Sequence, residues 1–306
     1  MARFNPGHPS LSSAAFLDKV IVLSGGSTGI GAATVLLLDS FGAKVVFGDI
    51  VPPKKAVGDY LRTDVTKYKD NLALFRFAFE KYGRVDHAVA NAGVIEQPGW
   101  FQPDGIESLQ NPPPDLVVDV NLKGTLYFTH IALQYLAHNR GDTDRSLTTL
   151  SSQAGFKETP GLFVYQATKH GILGLMRSLR LWTPTTFGVR INAVCPSMTT
   201  TQMVAGIQDA WMAGGNPVND PADIAKIICG VMAAGPGTGA VCVGGIDWDD
   251  SQAGLNGRAL FIMGGEAYDI EEGLDRTEDL WLGRVISKKL ERAQKGLGKG
   301  DDWVSS

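Results

Sequence analysis

The chain has 306 residues, of which 44% are hydrophobic and 20% charged, a composition that is typical of a folded globular protein and excludes disorder over most of its length. Its net charge of −4 excludes the strongly basic balance of a protein whose main partner is nucleic acid. Three scattered cysteines give neither a disulfide framework nor a metal site, and no apolar run approaches the ~18 residues of a membrane span. We therefore expect a cytoplasmic protein without a metal.

The first regular elements follow an N-terminal arm, residues 1–15, that we expect to be irregular. A β-branched run at 20–23 predicts a strand, the glycine-rich run at 24–31 a tight loop, and 32–41 a helix. A second strand is predicted at 44–49. This order of strand, glycine loop, helix and strand is that of a βαβ unit.

The alternation of strands and helices continues along the chain. Helices are predicted at 71–82, 116–139, 165–182 and 221–234, strands at 86–90, 146–151, 189–194 and 258–263, and a loop at 95–114. This pattern predicts an α/β fold, a doubly wound, mostly parallel sheet with helices on both faces, known as the Rossmann fold. We expect a single domain over 16–273, which includes a substrate loop at 197–217, and a C-terminal helical extension at 274–306.

The extension is predicted to be one tail helix with an apolar stripe beside a basic face. The apolar residues Leu282, Ile286 and Leu290 alternate with Lys288 and Lys289. Three interpretations are open: packing on the edge of its own sheet, a dimer contact, or a helix on a membrane surface. We favour the first, because a short helix with acidic residues nearby is a poor membrane anchor.

Three glycines in the first loop predict a dinucleotide site. Gly25 allows a tight turn, Gly29 lets the backbone approach a pyrophosphate, and Gly31 allows the helix to pack closely on the strand. The N-terminus of the helix then offers N–H groups and a positive dipole to the phosphates.

Asp49 indicates which dinucleotide binds. It ends the second strand, 18 residues after Gly31, where a carboxylate accepts a hydrogen bond from the ribose 2′-hydroxyl. Because a carboxylate repels a 2′-phosphate, we expect NAD rather than NADP. Two alternatives are open: Asp49 caps a following helix, or Lys54 and Lys55 serve a 2′-phosphate.

Tyr165 and Lys169 are four positions apart in the sequence, so they share one face of a predicted helix. A free tyrosine has a pKa near ~10, and a nearby ammonium favours the phenolate. Such a pair can remove a hydroxyl proton while a hydride leaves the carbon. By itself the pair is more typical of a helix surface, but Ser152 lies 13 residues upstream, just past a strand.

Several short motifs occur in a fixed order along the chain. They are the 24–31 loop, Asp64-Val65, Asn91-Ala92-Gly93, Asn121 within 119–124, Ser152, Tyr165 with Lys169, and Asn192-Ala193-Val194-Cys195-Pro196. Together they resemble the short-chain dehydrogenase/reductase family in its single-domain form, over roughly residues 16–265. Ser24, Ala90 and Ser197 depart from the family pattern, and none of them removes a catalytic group.

The resemblance implies roles for individual residues. Tyr165 is the general acid/base, Lys169 lowers the pKa of Tyr165 and holds the nicotinamide ribose, Ser152 orients the substrate oxygen, and Asn121 supports a water that links Lys169 to solvent. The expected cofactor-binding set is Gly25, Ser27, Thr28, Gly29, Ile30, Gly31, Asp49, Ile50, Asp64, Val65, Asn91, Ala92, Gly93, Tyr165, Lys169, Pro196, Thr199 and Thr201.

The substrate is expected beyond the carboxyl ends of the strands. The segments there, 94–102, 153–163 and 197–217, are rich in apolar residues and poor in charges. They predict a bulky apolar secondary alcohol or ketone as the small-molecule partner. The expected substrate-binding residues are Ser152, Ile95, Phe156, Met198, Met203 and Trp211. An alternative for each apolar residue is that it only packs its loop on the core.

The leading hypothesis is therefore an NAD-dependent oxidoreductase that acts on such a substrate. The resemblance also implies a homodimer or homotetramer. The segments 256–261 and 266–272 resemble fungal members of 15-hydroxyprostaglandin-dehydrogenase-like type, several of which serve terpenoid or polyketide pathways. Two other functions are open: an isomerase or dehydratase that uses Tyr165, and a nucleotide-binding module without turnover.

Overall fold

The computed structural model describes residues 3–4, 13–139, 143–237, 242–243 and 254–296. The strands are Arg3–Phe4 (β1), Val20–Ser24 (β2), Lys44–Asp49 (β3), Asp59–Arg62 (β4), His87–Ala90 (β5), Ser146–Leu150 (β6), Arg190–Pro196 (β7), Cys242–Val243 (β8), Ala259–Met263 (β9) and Glu266–Asp269 (β10). The helices are Ser13–Phe16 (α1), Gly29–Ser40 (α2), Tyr68–Tyr82 (α3), Thr125–His138 (α4), Phe163–Leu179 (α5), Trp182–Phe187 (α6), Gln208–Ala213 (α7), Pro221–Ala233 (α8), Ile270–Trp281 (α9) and Arg284–Gly296 (α10).

Within the described ranges the strands form one sheet in the order β4-β3-β2-β5-β6-β7-β9-β10-β1-β8. Every pairing from β4 to β9 in this order is parallel. The chain runs outward from β2 to β4 on one side and then from β5 to β9 on the other. The predicted doubly wound α/β sheet is confirmed, and its direction of winding changes between β2 and β5, where such folds bind their ligands.

Alternate residues of β2 supply two separate hydrophobic cores, one on each face of the sheet. Ile21 packs with Leu38 of α2 and Ile228 of α8, whereas Val22 packs with Phe75 of α3 and with α4. Side chains that alternate across a strand allow helices to bury both faces. The sheet is therefore held rigidly from two sides, and its carboxyl edge is a fixed platform for the loops.

The edge of the sheet beyond β9 differs from the sequence prediction. β10 returns antiparallel to β9 through a two-residue turn, Gly264 and Gly265, with φ of 60° and 78°. Left-handed residues at both positions suit a tight hairpin whose twist matches the strands, so the Gly-Gly pair was a usable signal. β10 pairs in turn with β1, which places a strand in the N-terminal arm that was expected to be irregular.

The C-terminal extension contains two helices, not the single tail helix that was predicted. α9 begins at Ile270, before the expected boundary, and Gly283 with φ of 78° separates it from α10. α9 lies against β9, as the favoured interpretation requires. α10 packs against α9, and its Val285 is 68% exposed. Residues 297–306 of the predicted helix lie outside the described residues. None of the helices described is long and apolar enough to span a bilayer.

Arg190 ties the end of α8 to the start of β7. Its guanidinium donates to the carbonyl oxygens of Val231 and Met232 (3.2 and 2.8 Å) and of Leu255 (2.7 Å), and it forms two hydrogen bonds with Asp144 (2.8 and 2.7 Å). Because Arg190 is buried, none of these acceptors is readily paired with water if the guanidinium is removed.

We expect Arg190→Met to lower the free energy of unfolding by about 3–5 kcal/mol, because it leaves a partly buried carboxylate and three carbonyls without their donor. Urea denaturation would measure this loss. The matched control is Lys226→Met, which removes an exposed ion pair with Asp223 and should cost about 0–1 kcal/mol. Equal losses in the two variants would contradict this account of Arg190.

Candidate active site

A single cleft of about 1360 Å³ runs along the carboxyl edge of the sheet. It brings together the glycine loop, the ends of β3, β5, β6 and β7, and the start of α5. The residues expected to bind the cofactor all line it, except Gly31. The sequence prediction and the geometry thus point to the same place.

Gly31 lies beneath the cleft wall, where it serves packing. A Cβ atom at this position would lie 1.9 Å from the carbonyl oxygen of Gly25. That same oxygen accepts a hydrogen bond of 2.8 Å from the side chain of Asn91. Gly25 itself has a φ of 72°, which disfavours any other residue. The loop is therefore held close to α2 and to the end of β5.

The start of α2 suits a phosphate. Its N-cap, Thr28, makes no side-chain hydrogen bond to the first turn, so the N–H groups there have no local side-chain acceptor. Gly29, with φ of 52°, brings the backbone to the cleft surface, and Thr201 lies over it, 3.1 Å from where a Cβ would be. The chemistry of these groups fits the pyrophosphate of a dinucleotide.

Asp49 ends β3 and turns its carboxylate towards the glycine loop. The carboxylate accepts hydrogen bonds from the backbone N–H of Ser27 (3.0 Å) and of Val51 (3.2 Å). No helix follows before β4, so the alternative that Asp49 caps the next helix is wrong. Lys54 and Lys55 also line this end of the cleft.

Tyr165 and Lys169 lie together on the cleft side of α5, and they are only 9% and 4% exposed. The Lys169 Nζ is 5.5 Å from the centre of the Tyr165 ring and donates to the carbonyl oxygen of Leu150 at 2.9 Å. The interpretation of this pair as a helix-surface feature is therefore wrong.

Burial dominates the ionisation of both groups. It raises the pKa of Tyr165, and a hydrogen bond with Ser152 opposes this rise. It lowers the pKa of Lys169 to about 8. The resemblance implied that the pKa of Tyr165 is lowered, but in the chain without a bound cofactor it is raised. Loss of water around the phenolate outweighs the contacts that favour it.

Ser151 and Ser152 follow β6 and differ in their hydrogen-bond partners. Ser152 lines the cleft, and its Oγ accepts a hydrogen bond from the N–H of Ala154 at 3.1 Å. Ser151 also borders the cleft but donates to the carbonyl oxygen of Lys169 at 2.9 Å, which holds α5 against the strand. The role of Ser152 as the substrate-orienting serine stays a prediction.

Asn121 lies in a π-helical segment, Val118–Gly124, that precedes α4. It is fully buried and exchanges two hydrogen bonds with the backbone of Val94, of 2.8 and 2.9 Å. A π-helical turn carries an extra residue and is frequent at functional sites. Asn121 does not line the cleft; it supports the segment that does.

The far end of the cleft is apolar. Of the expected substrate-binding residues, Ser152, Ile95, Met198, Met203 and Trp211 line it. Phe156 does not; its ring packs edge-on against Phe261, with centroids 5.4 Å apart. Further lining residues were not in the predicted set: Leu116, Val120, Pro160, Leu162, Val204 and Ile207. The i, i+4 spacing of Leu116 and Val120 was a usable signal for a helix face directed at the cleft.

Ser197, which departs from the family pattern, belongs to a buried polar cluster at the base of the predicted substrate loop. The Asn219 side chain donates to the Oγ of Ser197 (3.1 Å) and to the carbonyl of Ile262 (3.2 Å), and it accepts from the N–H of Gly265 (3.0 Å). Thr199 donates to the carbonyl of Ser197. The serine hydroxyl is therefore fully accommodated, and the two ends of the loop are joined.

Comparisons with known proteins identify the family of the chain. Residues 19–211 match the family described as short chain dehydrogenase. The short-chain dehydrogenase/reductase prx4 of Penicillium rubens is 33% identical over 271 residues, which cover 87% of this chain and 80% of that protein. The 5′-hydroxyaverantin dehydrogenase of Dothistroma septosporum is 28% identical over 302 residues, which cover 90% of this chain and 94% of that protein.

The fold is also found among solved structures. The ligand-free aldohexose dehydrogenase of Thermoplasma acidophilum superposes with a TM-score of 0.62 at 25% identity, over 83% of this chain and 95% of that chain. The two relatives above come from fungi, in line with the fungal resemblance in the sequence. The chain therefore belongs to the short-chain dehydrogenase/reductase family of oxidoreductases.

Proposed function

We propose that this oxidoreductase is an NAD-dependent alcohol dehydrogenase that interconverts a bulky apolar secondary alcohol and its ketone. One observation carries the proposal: a single cleft joins the glycine loop and Asp49 at one end, the pair Tyr165 and Lys169 in the middle, and an apolar pocket at the other end. Each part supplies one requirement of the reaction.

Members of the family bind a nicotinamide cofactor, and the residues of this cleft fit one. The glycine loop and the first turn of α2 would hold the pyrophosphate, Asp49 the adenosine ribose, and Asp64 with Val65 the adenine. When bound, the cofactor accepts or donates the hydride. Lys169 would hold the nicotinamide ribose through its ammonium group.

The proton is handled by the chain itself. In the oxidation direction the Tyr165 phenolate takes the hydroxyl proton of the substrate, and in reduction the phenol returns a proton to the carbonyl oxygen. Ser152 donates to the same substrate oxygen and holds it against Tyr165. Asn121 keeps the backbone around Val94 in place, and the ammonium of Lys169 favours the ionised tyrosine.

The substrate end of the cleft favours an uncharged, bulky molecule. The charged residues that line the cleft are Asp49, Lys54, Lys55, Asp64 and Lys169. The first four lie at the glycine-loop end, so the described walls around the apolar pocket carry no charge except in the catalytic pair. A thioether such as Met203 adapts to irregular apolar ligands. The relative named 5′-hydroxyaverantin dehydrogenase supports a hydroxylated substrate. Association into a homodimer or homotetramer through the outward faces of α4 and α5 is part of the proposal.

We expect Tyr165→Phe to abolish turnover while it leaves NADH binding intact, because only the acidic oxygen is lost. The assay follows NADH formation from NAD⁺ with 1-indanol, 1-tetralol and borneol, and NADH binding is followed by fluorescence. Tyr127→Phe, on α4 and outside the cleft, is the matched control and should behave like the wild type.

Retained turnover in Tyr165→Phe would remove this residue from the mechanism. Wild-type protein that consumes substrate without net change in NADH would favour an isomerase or dehydratase. Nucleotide binding without turnover of any alcohol or ketone tested would favour a binding module.

We expect Asp49→Ser to weaken NADH binding by about tenfold, since the variant loses a charged hydrogen-bond acceptor worth about 1.4 kcal/mol. The difference in affinity between NADH and NADPH should therefore become smaller. Dissociation constants for both nucleotides would be measured. Asp39→Ser, which changes an exposed aspartate of α2, is the control. If the wild type binds NADPH more tightly, Lys54 or Lys55 serves the 2′-phosphate and Asp49 is not the selector.

We expect the rate of alcohol oxidation to rise with pH through the neutral and alkaline range, because burial raises the pKa of Tyr165 and the phenolate is the active base. The hydrogen bond from Ser152 lowers that pKa, so Ser152→Ala should move the rising limb to higher pH. The kcat/KM profile against pH measures this, with Ser40→Ala as control, since Ser40 is an exposed serine at the end of α2 that donates to the carbonyl oxygen of Leu37 in its own helix. If kcat/KM rises over the same pH range in Ser152→Ala as in the wild type, Ser152 does not influence the ionisation of Tyr165.

A further inference from the structure

The helix that carries Tyr165 begins without a local cap. Its N-cap residue, Leu162, makes no side-chain hydrogen bond to the first turn. The first N–H groups of a helix have no partner within the helix, and a side-chain oxygen normally satisfies the second and third of them. In α5 these two groups belong to Val164 and Tyr165, so the catalytic tyrosine itself needs an external acceptor.

Glu96 supplies that acceptor from a distant part of the chain. One carboxylate oxygen accepts a hydrogen bond from the N–H of Val164 at 3.2 Å, and the other accepts from the N–H of Tyr165 at 2.6 Å. A carboxylate at a helix N-terminus also interacts favourably with the helix dipole. Glu96 is half-buried, which shields this interaction from solvent.

The segment that carries Glu96 is fixed at its other end as well. Val94, two residues earlier, is held by the paired hydrogen bonds of Asn121. Ile95 lies between these two anchors, lines the cleft and packs in a small hydrophobic cluster with Tyr165. Ile95 is therefore held between the Asn121 anchor at Val94 and the carboxylate that caps the helix of Tyr165.

We propose that Glu96 is a positioning residue for the reaction: it links the substrate-facing segment at Ile95 to the backbone of Tyr165 and so fixes where the tyrosine oxygen meets the substrate. This inference rests on the proposed role of Tyr165. Its physical basis is that a misplacement of about 1 Å in a reacting group can cost about a hundredfold in rate.

Two variants of Glu96 test the link. Glu96→Ala removes both acceptors, whereas Glu96→Gln keeps one carbonyl oxygen and loses the charge. The matched control is Glu158→Ala, in the loop before α5, whose side chain is 81% exposed and pairs only with its neighbour Lys157 in the described structure. Each folded variant is checked by its melting temperature and by its dissociation constant for NADH.

The first readout is independent of activity. Hydrogen exchange of a peptide that begins more than two residues before Val164, such as residues 160–169, reports the N–H groups of Val164 and Tyr165. We expect faster exchange in Glu96→Ala, an intermediate rate in Glu96→Gln and no change in Glu158→Ala. Unchanged exchange in Glu96→Ala would overturn the proposal.

The second readout is the oxidation of 1-indanol. We expect kcat to fall by about tenfold or more in Glu96→Ala and by less in Glu96→Gln, with the NADH dissociation constant unchanged within about twofold. If Glu96→Ala only destabilises the protein, its kcat per folded molecule will equal that of the wild type. That result would overturn the proposal. If Tyr165→Phe is inactive and Glu96→Ala is fully active, only this inference fails; if Tyr165→Phe keeps its turnover, the proposed function fails first.

Discussion

Asn121 joins the three parts of the chain that form the active site. Its amide is paired with the backbone of Val94 after β5 and also donates to Thr168, whose hydroxyl donates to the carbonyl of Tyr165. A buried amide without partners would cost free energy, so the satisfied network fixes the positions of these elements relative to one another. These elements lie close together around Gly93, where a Cβ atom would lie 3.3 Å from Oδ1 of Asn121 and 3.7 Å from Nζ of Lys169.

The site depends equally on where the sheet changes its direction of winding. At that point the loops after β2 and β5 diverge and leave a cleft between them, and the loops after β6 and β7 extend it. The polar end at the glycine loop and the apolar end are therefore two parts of one cavity. The cluster around Asn219 fixes the base of the loop after β7, so the apolar walls stand on a rigid support.

Burial of Tyr165 and Lys169 has a chemical consequence. Without water around them, the phenolate of Tyr165 and the ammonium of Lys169 are both disfavoured, and their pKa values move in opposite directions. Burial therefore separates two groups whose ordinary pKa values are similar, since the pKa of Tyr165 rises from 10.0 and that of Lys169 falls from 10.5 to about 8. Positioned donors such as Ser152 then carry more weight in deciding the charge of the tyrosine than they would at an exposed site.

Short stretches of sequence are enough to predict the strand, glycine loop and helix at one end of the cleft, the place of Asp49 at a strand terminus and the shared face of Tyr165 and Lys169. Each of these is encoded within a few consecutive residues, through hydrophobic periodicity and the conformational range of glycine. Three other features emerge only when the chain is folded: β1 joins β10, Phe156 packs against Phe261 outside the cleft, and Glu96 caps a helix that starts 67 residues further along the chain. These contacts join residues far apart in sequence and leave no local pattern, because a hydrogen bond or ring contact between distant segments exists only once the whole sheet has brought them together.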